Sequence, residues 1–270
     1  MASILLFAAF LLFGGLTAGV MAGLFGVGGG AILVPVLYEV FGLAGVDEAI
    51  RTHMAVATSL AVILPTGIRS AMGHQEKGSI DWSFVKLIAP FIVIGVVLGT
   101  FIAREIDGSQ LRLIYAVMVL LVAFFLLWSR QNPNIRFAWP ADWVTRVYGV
   151  FTGCLSTLMG IGGGTFSSSY MTSFGRSIHQ AVGTAAALGP VIALPAIIGF
   201  IWAGFDNELL PKGSLGFISL IGAVLILPAS LIAAPWGVKL AHRLSRAHLE
   251  LMFALFLLTV GFRFLISVFA

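Results

Sequence analysis

Apolar stretches separated by short polar connections run along the whole 270-residue chain. They cover approximately residues 3–25, 30–42, 53–72, 83–103, 110–129, 144–161, 164–175, 179–203, 214–237 and 248–268. A helix that crosses a bilayer needs about 20 apolar residues, because each residue advances it by about 1.5 Å. The stretches at 30–42 and 164–175 are too short to cross. We therefore predict that both are half-helices that return from a turn buried at membrane depth.

A glycine-rich segment precedes each of these short stretches and occurs twice. Leu24-Phe25-Gly26-Val27-Gly28-Gly29-Gly30 is followed 134 positions later by Leu158-Met159-Gly160-Ile161-Gly162-Gly163-Gly164. That spacing is about half of the chain, which indicates an internal duplication. Glycine runs end or break helices, so each half is predicted to contain a broken helix.

Shorter matches follow the glycine segment in the same order in both halves. The segment 53–58 corresponds to 179–184, 77–80 corresponds to 212–215, and 103–116 corresponds to 241–254. We predict a first membrane repeat at 1–128, a polar linker at 129–142 and a second membrane repeat at 143–270. The predicted fold is an all-α polytopic membrane protein with two inverted-topology repeats. Each repeat has about five helical segments, including one glycine-broken helical hairpin.

Composition places the chain in a lipid environment. Charged residues make up 10% of the sequence and hydrophobic residues 59%, whereas a soluble domain has about 25% charged residues. Such a chain cannot hide its apolar surface in water. The basic residues form no cluster of the kind that binds nucleic acid, so no nucleic-acid partner is predicted. The single cysteine, Cys154, excludes an internal disulfide.

The positive charges predict an orientation in the membrane. An odd number of crossings in each half inverts the second half and divides the cations unequally between the two sides. One side then holds Arg69, Lys77, Lys86, Arg130, Arg136, Arg146, Arg176, Lys239, Arg243 and Arg246, and the other holds Arg51, Arg104, Arg112, Lys212 and Arg263. Cytoplasmic loops are richer in Lys and Arg, so both termini are predicted to lie outside the cytoplasm.

The two glycine turns are candidate ligand contacts. The start of a helix carries unpaired N–H groups and about half a positive charge, which suits an anion. Inverted halves would direct two such starts at one ligand near the middle of the bilayer. Tight helix packing is the alternative explanation for the glycines. The segment also matches a dinucleotide fingerprint in form, but no βαβ pattern surrounds it, so no cofactor is predicted.

Hydroxyl groups near these turns extend the candidate site. Thr165 and Ser167 follow the second turn, where the first copy has Ala31 and Leu33. Serine and threonine in membrane helices also bond to their own backbone, which is the alternative. Thr58, Ser59 and Thr184 lie inside the corresponding helices 53–72 and 179–203. The predicted substrate contacts are Gly28, Gly29, Gly30, Thr58, Ser59, Gly162, Gly163, Gly164, Thr165, Ser167 and Thr184.

Histidines and acids refine this prediction. His53 and His179 begin corresponding helices and are either titratable gate residues or interfacial histidines. Neither has a neighbour at metal-ligand spacing, so no metal site is predicted. All eleven acids fall in predicted loops or near the ends of apolar segments. A carboxylate-lined cation site is therefore disfavoured, and a neutral or anionic substrate is favoured.

The paired turns at 26–30 and 160–164 suggest a family. Each is followed by a short apolar helix and by a His-x-Ala-Val-x-Thr helix start, at 53–58 and 179–184. These features resemble the sulfite exporter TauE/SafE family of bacterial permeases, over essentially the whole chain. The resemblance implies transport of sulfur-containing anions such as sulfite, sulfonates and thiolate-type metabolites. The second copy departs from the first with its Ser167-Ser168-Ser169 run, so the ligand need not match that of any relative.

The expected function is that of a secondary transporter that moves a small sulfur-containing anion by alternating access. A passive anion channel shares this architecture and is the main alternative. An intramembrane enzyme is a third, less favoured hypothesis, with Ser156 and His179 as a conceivable nucleophile and base. The sequence leaves open the coupling ion (a proton or sodium), the direction of transport and the oligomeric state.

Overall fold

The computed structural model describes residues 12–20, 30–131, 138–241 and 246–269, and these are almost entirely helical. Two short strands, β1 (Ser214–Leu215) and β2 (Ile218–Ser219), form an antiparallel hairpin. The helices are α1 (12–20), α2 (Gly30–Leu43), α3 (Glu48–Glu76), α4 (Trp82–Glu105), α5 (Gly108–Gln131), α6 (Asp142–Met159), α7 (Gly164–Ser173), α8 (Ile178–Ala203), α9 (Leu220–Ala241) and α10 (Arg246–Phe269). The prediction of an all-α polytopic membrane protein is confirmed.

Five of these helices are long and apolar enough to cross a membrane. In the described residues the candidate spans are Glu48–Glu76, Trp82–Glu105, Gly108–Trp128, His179–Ala203 and Leu251–Phe269. Each leaves large apolar side chains exposed on its outer surface, such as Phe101, Phe124 and Ile198. A soluble protein rarely exposes so much apolar surface, whereas lipid covers it without cost.

Helices α6 and α7 form the helical hairpin that the glycine run predicts in the second half. The Thr145 and Tyr170 hydroxyls are 2.9 Å apart, and the Tyr148 hydroxyl donates to the Phe166 carbonyl oxygen at 2.9 Å. The first contact pairs the beginning of α6 with the end of α7, and the second lies further along α6 and nearer the start of α7, so the two helices are antiparallel. The chain therefore enters the protein along α6, turns at 160–163 and returns to the same face.

Contacts between helix ends define two faces of the molecule. The first face contains the starts of α3, α5 and α9, and the second face contains the starts of α4, α6, α8 and α10. At the first face His53, near the start of α3, stacks on Phe217, just before α9, with ring centroids 4.9 Å apart. At the second face Asp81, just before α4, pairs with Arg176, just before α8, at 3.3 Å. The hairpin α6–α7 thus enters from the second face.

The first half repeats this arrangement in the opposite orientation across the membrane. Gly149 and Gly153 bring α6 against α4, and Gly15 and Gly19, each 134 positions earlier, bring α1 against α9. In both pairs the two helices run in the same direction, and a Cβ at Gly15 would lie 2.9 Å from the Ile226 carbonyl oxygen. Because α4 and α9 start at opposite faces, the helices packed beside them enter from opposite faces. The repeats are therefore inverted.

The long helices α3 and α8 cross at the centre and bring the two halves together. A Cβ at Gly67 in α3 would lie 3.3 Å from the Pro190 ring of α8, and α5 packs on α10 in the same way across the halves. The described helices of one half therefore bury their apolar faces largely against those of the other. Helix α5 ends at Gln131 and α6 begins at Asp142, while the proposed repeat boundaries at 128 and 143 stay a prediction.

Candidate functional site

The start of α2 meets the turn between α6 and α7 inside the protein. A Cβ on Gly30, at the start of α2, would lie 2.5 Å from the Gly160 carbonyl oxygen and 2.8 Å from the Cα of Ile161. The Ser59 hydroxyl of α3 donates to that same Gly160 oxygen at 2.9 Å. Gly30, Ser59 and the second glycine turn therefore lie together, and their contact with a substrate stays a prediction. Gly28 and Gly29 lie outside the described residues.

The turn between α6 and α7 is built on two glycines with positive φ. Gly160 ends α6 with φ 63° and Gly163 begins α7 with φ 70°, a region that other residues avoid. No side chain caps the start of α7, whereas Asp47, Asp81 and Ser177 cap the starts of α3, α4 and α8. The N–H groups in the first turn of α7 lack partners within the helix. They give this buried end a partial positive charge.

Three fully buried hydroxyls lie in this hairpin without a hydrogen-bond partner among the described residues. They belong to Thr152, inside α6, to Ser156, in the last turn of α6, and to Ser167, in the first turn of α7. The Ser156 Oγ lies 3.5 Å from the position that a Cβ on Gly163 would take. Thr165 is 7% exposed. The predicted contacts Gly162, Gly163, Gly164, Thr165 and Ser167 thus form one continuous segment around the uncapped start of α7.

Other hydroxyls on the same hairpin are bonded to their own helix. The Ser168 hydroxyl donates to the Gly164 carbonyl oxygen at 2.5 Å, and the Thr157 hydroxyl donates to that of Gly153 at 2.8 Å. This is the usual behaviour of serine and threonine in apolar helices. Within the serine run, therefore, Ser168 follows the backbone-bonding alternative and Ser167 does not.

Thr58 and Thr184 occupy equivalent positions and make equivalent bonds. The Thr58 hydroxyl oxygen accepts a hydrogen bond from the Ser219 backbone N–H at 3.0 Å, just before α9. The Thr184 oxygen accepts one from the Asp81 N–H at 2.9 Å, just before α4. Each threonine thus holds the start of a helix in the other half. A hydroxyl that accepts one bond still has a proton to donate, so a substrate contact by either threonine stays a prediction.

The two predicted gate histidines have different surroundings. His53 is buried, and its Nε2 donates to the Ala103 carbonyl oxygen at 2.8 Å while its ring stacks on Phe217. His179, at the start of α8, is exposed. The sequence match between these helices therefore does not extend to the environment of the imidazole. Their role in gating stays a prediction.

Ion pairs occur at both faces, where the sequence shows only isolated charges. At the first face the buried Arg112 guanidinium bonds to the Glu48 carboxylate at 2.6 Å and to the Tyr38 hydroxyl. Nearby, hydrogen bonds from the Ser109 hydroxyl and other groups of that turn keep the pKa of Asp107 below its usual value. At the second face the Asp81–Arg176 pair joins the starts of α4 and α8. The Asp81–Arg176 pair joins the two halves, whereas the Glu48–Arg112 pair joins α3 and α5 within the first half.

The region beside the helix tips is closed in this conformation. A cleft of about 10 Å³ lies between the start of α2, the turn after α6 and the helices α5 and α10. It is lined mainly by apolar side chains, among them Ala31, Val119 and Leu257, with the Thr165 side chain as a polar contribution. That volume admits about one water molecule. The elements around this cleft must therefore separate before anything larger than water can enter it.

Sequence reasoning omitted Ser156 from the predicted contacts and did not single out Thr152, although a signal was present. At the offset of 134 that aligns the glycine turns, Thr152 corresponds to Ala18 and Ser156 to Ala22. Two apolar positions in the first half are thus hydroxyl-bearing in the second, in addition to the differences at Thr165 and Ser167. A position-by-position comparison of the two copies would have found them.

The family follows from a match over nearly the whole length. The family model described as Sulfite exporter TauE/SafE matches residues 11–264. The chain belongs to the TauE/SafE family. The turns, the half-helices and the closely packed tips described above are therefore features of a TauE/SafE protein, and the resemblance inferred from the sequence is confirmed.

Curated relatives of this TauE/SafE chain carry matching names. One, named "Probable membrane transporter protein", from Haemophilus influenzae, is 34% identical over 248 residues, which cover 92% of this chain and 94% of the relative. A second relative, from Methanocaldococcus jannaschii, is also named a probable membrane transporter protein. It is 24% identical over 248 residues, which cover 92% of this chain and 91% of the relative. No solved structure matches the chain significantly. The family and these names indicate a membrane transporter rather than an enzyme.

Proposed function

We propose that this TauE/SafE protein is a secondary carrier that moves a small sulfur-containing anion, such as an organosulfonate or sulfite, by alternating access. The observation that carries the proposal is the contact between the start of the half-helix α2 and the turn after α6, with Gly30 against Gly160, in two halves of opposite orientation. Inverted repeats with discontinuous helices at the midplane are the typical build of secondary carriers. Rocking of one half against the other would open the site first to one side and then to the other.

The chemistry near the tips supports an anion. The uncapped start of α7 offers backbone N–H groups with a partial positive charge, and Thr165 and Ser167 add hydroxyl donors. Glu48 and Asp81 lie at the faces and are paired with arginines. The sulfur-containing class comes from the family description, Sulfite exporter TauE/SafE. Gly28, Gly29, Gly30, Thr58, Ser59 and Thr184 complete the proposed site from the first half and from α8.

The proposed cycle assigns the two faces to opposite sides of a bacterial inner membrane. Each face has an ion pair. Glu48–Arg112 joins α3 and α5 at the first face, and Asp81–Arg176 joins the starts of α4 and α8 at the second face. Opening of one face would separate its helices while the other face stays closed. His53 and His179 are proposed gate residues, and a proton or sodium ion is the proposed coupling ion.

Transport by purified protein in liposomes tests the proposal. Liposomes loaded with unlabelled anion should accumulate labelled sulfite, thiosulfate, taurine, sulfoacetate or sulfolactate by counterflow, with saturable rates, and acetate and chloride should compete weakly. The same anions should raise the melting temperature of the detergent-solubilised protein in a concentration-dependent way. Protein-free liposomes are the control. Non-saturable flux without counterflow would replace the carrier by a channel, and no flux or binding of any sulfur anion would overturn the proposal.

A further inference from the structure

We propose that Ser156 is a specificity-determining residue of this transporter. Together with Ser167, which also lies in the second half, it would supply hydroxyl donors to the bound oxyanion. This inference rests on the proposed anion-carrier function and adds the asymmetry of the site and the chemistry of its ligand. The carrying observation is the position of the Ser156 Oγ beside Gly163, at the uncapped start of α7, fully buried and without a partner among the described residues.

An unpaired buried hydroxyl is costly, so its persistence needs a reason. Ser168 and Thr157 show that this hairpin satisfies hydroxyls through the carbonyl four residues earlier, since each makes that bond. Ser156 lies in α6 beside Thr157, and Ser167 lies in α7 beside Ser168. Each of them also has a backbone carbonyl group one turn earlier in the chain. Their hydroxyls nevertheless stay free for another partner. A ligand that accepts hydrogen bonds when the tips open would satisfy both.

The two halves differ at both of these positions. Ser156 and Ser167 correspond to Ala22 and Leu33 in the first half, where no side-chain hydroxyl is present to donate. A symmetric role in folding or in helix packing would favour similar residues in both copies. The first half instead contributes the Ser59 hydroxyl, which is bonded to the Gly160 carbonyl oxygen and thereby fixes the turn before α7. The first half thus positions the turn, and the second half offers the donors.

The donors define the class of ligand. Two hydroxyls and the N–H groups of the first turn of α7 point to an anion with several oxygen acceptors. Hydroxyl and amide donors carry no net charge, so they favour an anion whose charge is spread over several oxygens, such as a sulfonate or sulfite, over a halide. A carboxylate offers two oxygens and a sulfonate three. We therefore expect selectivity for the sulfonate head over chloride and acetate that depends on Ser156.

The experiment compares Ser156→Ala with Ser168→Ala, which removes the same atom from a hydroxyl already bonded to its helix. Methanesulfonate and sulfite are the probes, and their dissociation constants and transport KM are measured beside the melting temperature without anion. Ser156→Ala should raise the dissociation constant and the transport KM about tenfold or more, because it removes a hydrogen bond to a charged group. Its melting temperature without anion should equal or exceed that of the wild type, because an unpaired buried hydroxyl becomes a methyl group. A purely structural serine would lower that temperature instead.

Ser168→Ala should leave both constants within about twofold of the wild type. Ser167→Ala is the second test variant and should behave like Ser156→Ala, so that the inference can be judged even if one variant does not fold. Wild-type affinity in both Ser156→Ala and Ser167→Ala would overturn this inference and leave the carrier function standing. Absence of sulfonate and sulfite binding by the wild type would overturn both.

Discussion

The hydroxyl oxygens of Thr58 and Thr184 each accept a hydrogen bond from the backbone N–H just before a helix of the other half. The Ser219 side chain in turn accepts from the Gly222 N–H at 3.1 Å, and the Asp81 side chain accepts from the Phe84 N–H at 3.1 Å. Each helix start is therefore fixed twice, once by its own cap and once by a threonine of the opposite half. At the scale of single residues, these bonds tie the two repeats together.

Replacement of Thr58 by valine should destabilise the protein. Valine keeps the shape of the side chain and removes the acceptor, so the buried Ser219 N–H loses its partner, at a cost of about 1–3 kcal/mol. Thr58→Ser keeps the oxygen and should lie close to the wild type. The free energy of unfolding in mixed micelles measures the effect. Thr259→Val, at an exposed threonine bonded to its own helix, is the matched control. Equal stability of Thr58→Val and wild type would contradict this role.

At the scale of elements, glycine determines how closely helices approach. Gly149 and Gly153 in α6 face Ile88 and Ile92 of α4 at backbone distance, and the spacing of four residues places both glycines on one side of α6. Helices in membranes associate through such small-residue contacts, since lipid gives no hydrophobic drive between them. The same spacing at Gly15 and Gly19 brings α1 against α9, so α1 and α6 are held by the same kind of interface.

An alanine at Gly153 should therefore loosen the α4–α6 pair. Its Cβ would collide with the Ile92 carbonyl oxygen, which is backbone and cannot move aside alone, and overpacking of this kind costs about 1–3 kcal/mol. Gly73→Ala, in helix α3 with nothing within 4 Å of the new Cβ, is the control. It should be neutral or stabilising by up to about 1 kcal/mol. Melting temperatures of the two variants in detergent test the difference, and a Gly153→Ala protein as stable as Gly73→Ala would refute the close contact.

Local sequence features predicted the hairpins because glycine runs and segment lengths act over short distances. The turn at 160–163 and the half-helix at 164–173 follow from these features alone. The partners of Thr58 and Ser59 are 161 and 101 residues away, so no local pattern reveals them. The burial of His53 also depends on a distant ring, that of Phe217. Sequence therefore predicts elements and repeats well, but it does not show which hydroxyls find partners.

At the scale of the whole molecule, helix ends and charges fall on two distinct faces. Contacts place the start of α3 and the end of α8 at the first face, where the Arg104 guanidinium lies 4.0 Å from the centroid of the Trp202 ring. The starts of α4 and α6 lie at the second face, where Phe84 meets Trp139 with centroids 5.9 Å apart. Of the described cations, the larger group predicted to be cytoplasmic lies near the second face. It includes Arg69, Lys77, Lys86, Arg146 and Arg176.

The positive-inside rule then predicts that the second face is cytoplasmic, and cysteine labelling in cells tests this orientation. In a Cys154→Ala background, single cysteines at Glu76 and Asp142 report on the second face, and those at Glu105 and Glu208 on the first; all four positions are exposed. A membrane-impermeant maleimide should label Glu105→Cys and Glu208→Cys in intact cells, and the other two only after permeabilisation. Labelling in detergent is the control for reactivity. The reverse pattern would invert the orientation and leave the fold intact, whereas different behaviour within either pair would contradict the inverted repeats themselves.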